Sequence, residues 1–326
     1  MTQPAIRAVG VHKTYRGRGG TAAVRGIDLE VRQGEVFGLL GPNGAGKTTA
    51  VAMMCTLTAP TRGRIEVAGH DAAAAAPRVR RAIGVVFQES TLDGELTAEE
   101  NLRFHGELYA LPGAAAAART RELLGLVGLA DRGRGLVRTF SGGMRRRLEI
   151  ARGLMHRPRV LFLDEPTVGL DPNSRIGVWE HLREVRTRED TTLFLTTHYL
   201  EEAEECDRIA IMDAGRIVAE GTPAGLKTAV GADRIELRTG DDRAAARALR
   251  DRLGVAAETP STGGVLVRSG DGAALVPRLC AALDVQVHAV TVTRPSLDEV
   301  FLHHTGHRIR SGGAGAQHAE QVGAAR

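Results

Sequence analysis

One stretch within the first fifty residues has the chemistry to grip a polyphosphate. Gly41-Pro42-Asn43-Gly44-Ala45-Gly46-Lys47-Thr48-Thr49 fits G-x-x-x-x-G-K-[ST], directly after the apolar run Val36–Leu40 and before a helical pattern from about Gly46 to Leu57. Glycines let the main chain approach phosphate oxygens, and successive N–H groups converge there as an anion nest backed by the positive end of the helix. In that arrangement Lys47 places a point charge on the β- and γ-phosphates, Thr48 offers its hydroxyl to Mg2+, and Thr49 reaches the α-phosphate. Lysine otherwise occurs only at positions 13 and 227 of an arginine-rich chain, so Lys47 stands out. The loop predicts nucleotide binding and leaves the class of nucleotide hydrolase open.

Val160–Leu163 reads as a buried strand that runs into two carboxylates, Asp164 and Glu165. An acid at the carboxyl end of a strand beside a phosphate loop can hold Mg2+ through water, the role expected of Asp164. Glu165, pointing elsewhere, can orient or deprotonate an attacking water. An isolated acid pair would equally be solvated surface; the phosphate loop gives this one a task. Farther along, Phe140-Ser141-Gly142-Gly143-Met144 opens a second helix, Arg145 to His156. A hydroxyl, two small residues and a helix N-terminus make a second anion site, although alone the stretch is also an ordinary N-cap at Ser141. Two phosphate-binding elements in one chain suggest that the second grips the γ-phosphate held by another copy.

These groups need elements to place them. Ile6–Val11 and Val24–Val31, separated by Gly17, Gly19 and Gly20, read as a small antiparallel edge sheet. Ile83–Phe87, Val160–Leu163 and Thr192–Thr196 read as strands covered on both faces, with helical patterns at Ser174–Arg186 and Leu200–Cys206, which predicts an α/β core on a mostly parallel sheet. Leu92–His156 is mostly helical, interrupted around Gly133–Gly143. The alanine runs at 72–76 and 114–118 read as exposed helix or loop without chemistry. After Gly221-Thr222-Pro223 the order becomes strand Arg234–Leu237, helix Asp242–Leu253, strands Val255–Glu258 and Val265–Val267, helix Ala273–Leu283 and strand Val285–Val292. That βαββαβ order predicts a small ferredoxin-like domain, followed by a helix from Pro295 to about His303. The expected organisation is a core unit over 1–222 with a helical subdomain at about 92–156, an accessory α/β domain over 223–307, and a disordered tail over 308–326.

Bulk properties exclude several classes. With 326 residues, 43% hydrophobic and 25% charged, the composition is that of a soluble globular protein with room for two domains. A net charge of +4 is not the concentrated basic face of a nucleic-acid binder, so no nucleic-acid partner is expected. Cys55, Cys206 and Cys280 are odd in number and lack zinc spacing, which argues for buried thiols in a reducing compartment. Met1–Gly10 has no apolar core of a signal peptide, and no stretch approaches the ~18–20 apolar residues of a membrane span. A membrane role would come through a partner.

In order and spacing, the motifs resemble the nucleotide-binding subunits of ABC transporters over residues 6–222. Ser141–Met144 resembles the family signature LSGGQ, with Phe140 in place of Leu, Met144 in place of Gln, and the Ser-Gly-Gly core intact. Gln88 falls where the family's Q-loop glutamine senses Mg2+ and the attacking water. His198 matches the switch histidine that contacts the γ-phosphate, and Gly169-Leu170-Asp171 the D-loop that joins two copies. Tyr15 lies where an aromatic stacks on adenine. Singly, Gln88, His198 and Tyr15 would read as structural residues; together they carry the resemblance. It implies a P-loop NTPase ABC cassette, with a RecA-like core, antiparallel β edge sheet and helical subdomain, plus the small C-terminal α/β domain. It also implies ATP and Mg2+, the latter at Thr48, Gln88 and Asp164. Each site of a head-to-tail dimer would take Lys47, Asp164, Glu165 and His198 from one copy and Ser141, Gly142 and Gly143 from the other.

The likeness continues past the cassette. Gly221-Thr222-Pro223, the appendage and Pro295-Ser296-Leu297-Asp298-Glu299-Val300-Phe301 are similar to the daunorubicin/doxorubicin-resistance type of exporter ATPase, although Leu297–Phe301 alone also fits an ordinary amphipathic terminal helix. That branch implies a peripheral ATPase at the cytoplasmic face of the cell membrane, powering efflux of a hydrophobic drug or antibiotic through a separate permease. Export of lipid, glycan or peptide remains an alternative. A soluble ABC ATPase acting on ribosomes or DNA is another, but such proteins usually carry two cassettes or zinc-bearing insertions, and this chain has neither.

Overall fold

The computed structural model describes residues 3–15, 20–260 and 263–307; the tail expected over 308–326 and Gly17 and Gly19 lie outside the described residues. The described chain divides into two compact units that part between Glu220 and Gly221.

In the first unit, β1 (Ile6–Tyr15) pairs antiparallel with β2 (Thr21–Val31) on one side and β4 (Arg62–Val67) on the other, and β4 carries the two-residue β5 (His70–Asp71). Both long strands run beyond the sequence-based bounds of Val11 and Val24, because polar residues continue the ladder as far as the Tyr15–Thr21 pair. β4 escaped the sequence reading: only Ile65 and Val67 of its six residues are buried, too few to register as alternation.

The central sheet has the order β10 (Arg216–Gly221), β9 (Arg208–Asp213), β3 (Val36–Leu40), β8 (Thr192–Thr197), β7 (Val160–Asp164), β6 (Ile83–Val86). The five strands from β9 to β6 are parallel. Every residue of β3, β7 and β8 is buried, as a strand with both faces covered requires. In a chain with few aromatics, Phe37, Phe162 and Phe194 from these three strands meet ring to ring, at 5.7 and 5.4 Å between centroids. Around the sheet lie α1 (Lys47–Met54), α2 (Ala76–Ala82), α6 (Pro172–Glu189) and α7 (Leu200–Glu204).

The helical region comprises α3 (Ala98–Leu108), α4 (Gly113–Leu126) and α5 (Gly142–Gly153), with two 3-10 turns before α5. Helix begins at Ala98 and not at Leu92. Thr97 and Glu100 form a reciprocal capping box that fixes the start, and Asn101 turns the chain at Asp93 through Asp93 N and O.

The second unit runs β11 (Asp233–Thr239), α9 (Asp242–Leu253), β12 (Ala257–Glu258), β13 (Val265–Ser269), α10 (Gly272–Ala281), β14 (Val287–Thr293). Its antiparallel sheet is ordered β12-β13-β11-β14, the arrangement of a ferredoxin-like fold. Two helices bracket it: α8 (Pro223–Val230), not anticipated, packs against α11 (Leu297–Thr305), whose Leu297, Val300 and Phe301 are buried.

Candidate active site

The loop between β3 and α1 sits at the carboxyl end of the parallel sheet. Gly46 adopts φ 107°, and a Cβ there would lie 2.3 Å from Ala23 O on β2; a Cβ on Gly41 would lie 2.2 Å from Met212 O on β9. No larger residue lets the loop pass this close to both sheets. It is tied down at both ends, with Gly41 N donating to Thr197 O (3.1 Å) and Gly215 N to Ala45 O (2.9 Å). Gly41 and Ala45 are buried beneath a cleft of about 450 Å3. Tyr15, Pro42, Asn43, Gly44, Gly46, Lys47, Thr48, Thr49, Gln88 and Glu165 line that cleft. Tyr15 is 44% exposed there, with the Lys13 ammonium 5.0 Å from its ring centroid.

Lys47 is buried. Its Nζ donates to Gly41 O (2.7 Å) and Pro42 O (3.1 Å) and stands 3.3 Å from Glu165 Oε1. His198 Nδ1, just past β8, stands 3.3 Å from the same oxygen. Asp164 ends β7 with Oδ1 accepting from Thr196 Oγ1 at 2.5 Å. Glu165 then takes the left-handed φ of 47°, uncommon for a residue with a side chain, and its carboxylate meets Lys47 and His198. The His198 ring 3.3 Å away and the nearby Lys47 ammonium hold the Glu165 carboxyl below the usual carboxylate range, against the opposing effect of burial. Burial pushes the Lys47 ammonium down, and Glu165 counters it. The Thr48 hydroxyl, the Gln88 amide oxygen and the Asp164 carboxylate are the hard oxygen donors that a small divalent cation takes.

Ser141, Gly142 and Gly143 do not line this cleft. Ser141 N-caps α5, accepting from Met144 N at 3.2 Å, and Ser141 and Gly142 are exposed. Gly143 is pressed against α6, where a Cβ would lie 2.7 Å from Ser174 Oγ. Asp171 caps α6, accepting from Ser174 N (3.0 Å) and Oγ (2.6 Å). Sequence reasoning passed over Arg146 and Glu149, a buried ion pair (3.0 Å) that joins α5 to the ends of β6 and β7. The available signal was opposite charges three residues apart in a helix otherwise turned to the core.

A second cleft, of about 320 Å3, opens beside β6 and is lined by Leu57, Phe87, His105, Tyr109, Arg152 and His156 among others. Tyr109 stacks on His156 with centroids 3.7 Å apart. Burial, with Arg152 and His156 nearby, brings His105 down to about 4, so it is uncharged at neutral pH.

The ABC transporter family profile matches residues 24–168, and that of the C-terminal domain of DrrA1-3-like ATP-binding proteins matches residues 221–305. The chain is 46% identical over 316 residues to the daunorubicin resistance ATP-binding protein DrrA3 of Streptomyces coeruleorubidus, covering 94% of this chain and 97% of that one. It is 41% identical over 308 residues to the doxorubicin resistance ATP-binding protein DrrA of Mycobacterium tuberculosis (91% and 92% covered). It is 40% identical over 318 residues to the Nod factor export ATP-binding protein I of Ralstonia nicotianae (94% and 95%). Among solved structures, a dimeric ATP-binding cassette in a post-hydrolysis state, bound to ADP and Pi, is similar with TM-score 0.61 and 27% identity over 67% of this chain and 98% of that one. For cbiO1 of Clostridium perfringens, part of an ABC transporter complex, the values are 0.64, 26%, 77% and 96%.

Proposed function

As this chain belongs to the ABC transporter ATP-binding proteins of the daunorubicin/doxorubicin-resistance type, ATPase subunits of exporters, we propose that two copies close head-to-tail around two ATP molecules and thereby drive a separate membrane permease. One observation supports the dimer: Ser141 and Gly142, at the start of α5, are exposed, and neither they nor the buried Gly143 line the cleft of their own chain. Anion-binding groups that cannot serve the resident phosphate are free to serve a neighbour's.

In each site Tyr15 stacks on the adenine, the loop N–H groups with Thr49 hold the phosphates, and Lys47 bridges the β- and γ-phosphates. Thr48, Asp164 and Gln88 would hold Mg2+, which would supply charge neutralisation at those phosphates. Lys47 and His198 both face the Glu165 carboxylate. A γ-phosphate offers Lys47 a more highly charged partner, and Glu165 is then released to take the proton of the attacking water. His198 and the neighbour's Ser141 and Gly143 stabilise the charge on the transferred group. The cassette is the first unit, ending at Glu220, and the accessory domain the second, two residues earlier than the boundary at 222/223 expected from sequence.

No helix among the described residues is long and apolar enough to cross a membrane. In this reading the permease supplies the pathway and the chain works peripherally at the cytoplasmic face. The second cleft, rimmed by exposed Leu57 and Phe87 close to Gln88, is where a cytoplasmic helix of the permease docks. The cargo is a hydrophobic drug such as the anthracyclines for which the relatives are named. The Nod factor relative, of nearly equal identity and coverage, supports a lipid or glycan cargo as the second reading. Co-purification with the neighbouring permease, followed by vesicle uptake of daunorubicin against a lipo-oligosaccharide, separates the two. E165Q should bind ATP normally and accumulate a closed dimer, with hydrolysis lowered at least ~10²-fold, the scale of a general base. Near-normal turnover would place the base elsewhere.

A further inference from the structure

Arg146 lies on α5, three residues beyond Gly143, and is 6% exposed. Its guanidinium directs its donors almost wholly at main-chain oxygens. Nε donates to Pro166 O (2.6 Å), Nη2 to Asp164 O (3.0 Å) and Glu165 O (3.2 Å), and Nη1 to Phe87 O. Nη1 also meets Glu149 Oε2 at 3.0 Å, and the other oxygen of that buried carboxylate accepts from Thr91 N at 3.0 Å. One planar group thus grips three consecutive carbonyls where β7 ends, together with the carbonyl just before Gln88.

The turn it grips is strained. Glu165 sits at φ 47°, a conformation that disfavours any residue with a Cβ and persists only where the surroundings impose it. Freed of restraint, this peptide would relax towards right-handed or extended backbone, and the carboxylate would swing off Lys47 and His198. A guanidinium suits the restraint because its fixed fork addresses several acceptors at once, which an ammonium on a flexible stem cannot do.

We infer that Arg146 is a positioning residue for hydrolysis: by clamping the carbonyls of Asp164, Glu165 and Pro166, it holds Glu165 in the strained backbone that aims its carboxylate into the cleft. The inference rests on Glu165 being the base. It also gives α5 two tasks in two sites, since the helix that offers Ser141 to a neighbouring copy fixes the base of its own.

The test uses the full chain. Met alone at position 146 would leave Glu149 buried and unpaired, so the primary variant is R146M/E149Q, whose neutral amide still accepts from Thr91 N. The second is R146K, which keeps the charge and loses the fork. R146M/E149Q should bind a fluorescent ATP analogue within about 2-fold of wild type, while kcat falls ~10- to 100-fold at little-changed KM, the scale of an ångström's misplacement. R146K should remain well below the wild-type rate. In an E165Q background, R146M/E149Q should lower the single-turnover rate by less than about 2-fold, because the group being positioned is already gone. Normal kcat in folded R146M/E149Q overturns the clamp, as do losses that multiply with E165Q. Should that variant not fold, wild-type turnover by R146K overturns it instead. Wild-type turnover by E165Q removes the base assignment itself, whereas a silent E165Q beside an active R146M/E149Q defeats the clamp alone.

Discussion

Replacing Lys47 by Met should destabilise the nucleotide-free protein, and replacing Glu165 as well should restore much of the loss. The two side chains are 4% and 9% exposed, with 3.3 Å between Nζ and Oε1, so deleting the ammonium leaves a carboxylate almost without water. Breaking a buried ion pair costs about 3–5 kcal/mol when the survivor is fully enclosed. Here one side faces the cleft and His198 stands 3.3 Å from the same oxygen, so a penalty of about 2–3 kcal/mol is expected for K47M. E165Q leaves Lys47 its two carbonyl acceptors and should cost about 1 kcal/mol, the scale of one hydrogen bond. K47M/E165Q buries no lone charge, and the cycle should give a coupling of about 2 kcal/mol. Trp179, the one tryptophan of the sequence, lies buried in α6 of the first unit, so its emission follows that unit's unfolding without interference from the second. Urea titrations at pH 7.5 should shift in midpoint at constant slope. Because Glu165 titrates lower in the folded chain than the usual 4.5, the pair's contribution is present above that value and is lost as pH falls through the folded one. The coupling should therefore vanish in acid. A cycle that closes within about 0.5 kcal/mol at neutral pH would refute the ion-pair account.

Two further outcomes are expected. Glu202 is buried in α7, bonded to the Thr167 hydroxyl, and burial raises its carboxyl above the usual 4.5. The folded chain then holds its proton where the unfolded chain releases it, so stability declines as pH rises from 4.5 through the folded value; E202Q should flatten that decline in Trp179-monitored melts. F301A empties a fully buried site on α11, which packs against α8, and should cost about 3–5 kcal/mol. Hydrogen exchange across α8 and α11 would register the loss, and an unchanged exchange pattern there would count against that packing.

Much of the chemistry is legible in the sequence because it is local. The phosphate loop, the acids at the end of β7 and the Ser-Gly-Gly turn each sit at one strand or helix end, and β3, β7 and β8 announce themselves as largely apolar or β-branched runs. The grip of Arg146 on the main chain is invisible for the opposite reason: those acceptors are carbonyls, which every residue carries, up to 59 positions away. The strain at Glu165 cannot be read from a glutamate in a string of letters. β9 and β10 went unread because they follow a helical pattern with only two residues between them. α8 starts at Pro223, in a stretch read only as the point where the pattern changes, since proline suits the first turn of a helix as well as a linker.

The anchoring of the phosphate loop between Thr197 and Gly215 bears on how the energy of nucleotide capture is used. A mobile loop would lose conformational freedom on closing around its ligand, and a large part of the binding free energy would go into that loss. Here the mould is set in advance. In the proposed dimer, what the triphosphate contributes would be left largely for drawing a second molecule onto the exposed tip of α5, and so for mechanical work on whatever the pair is attached to.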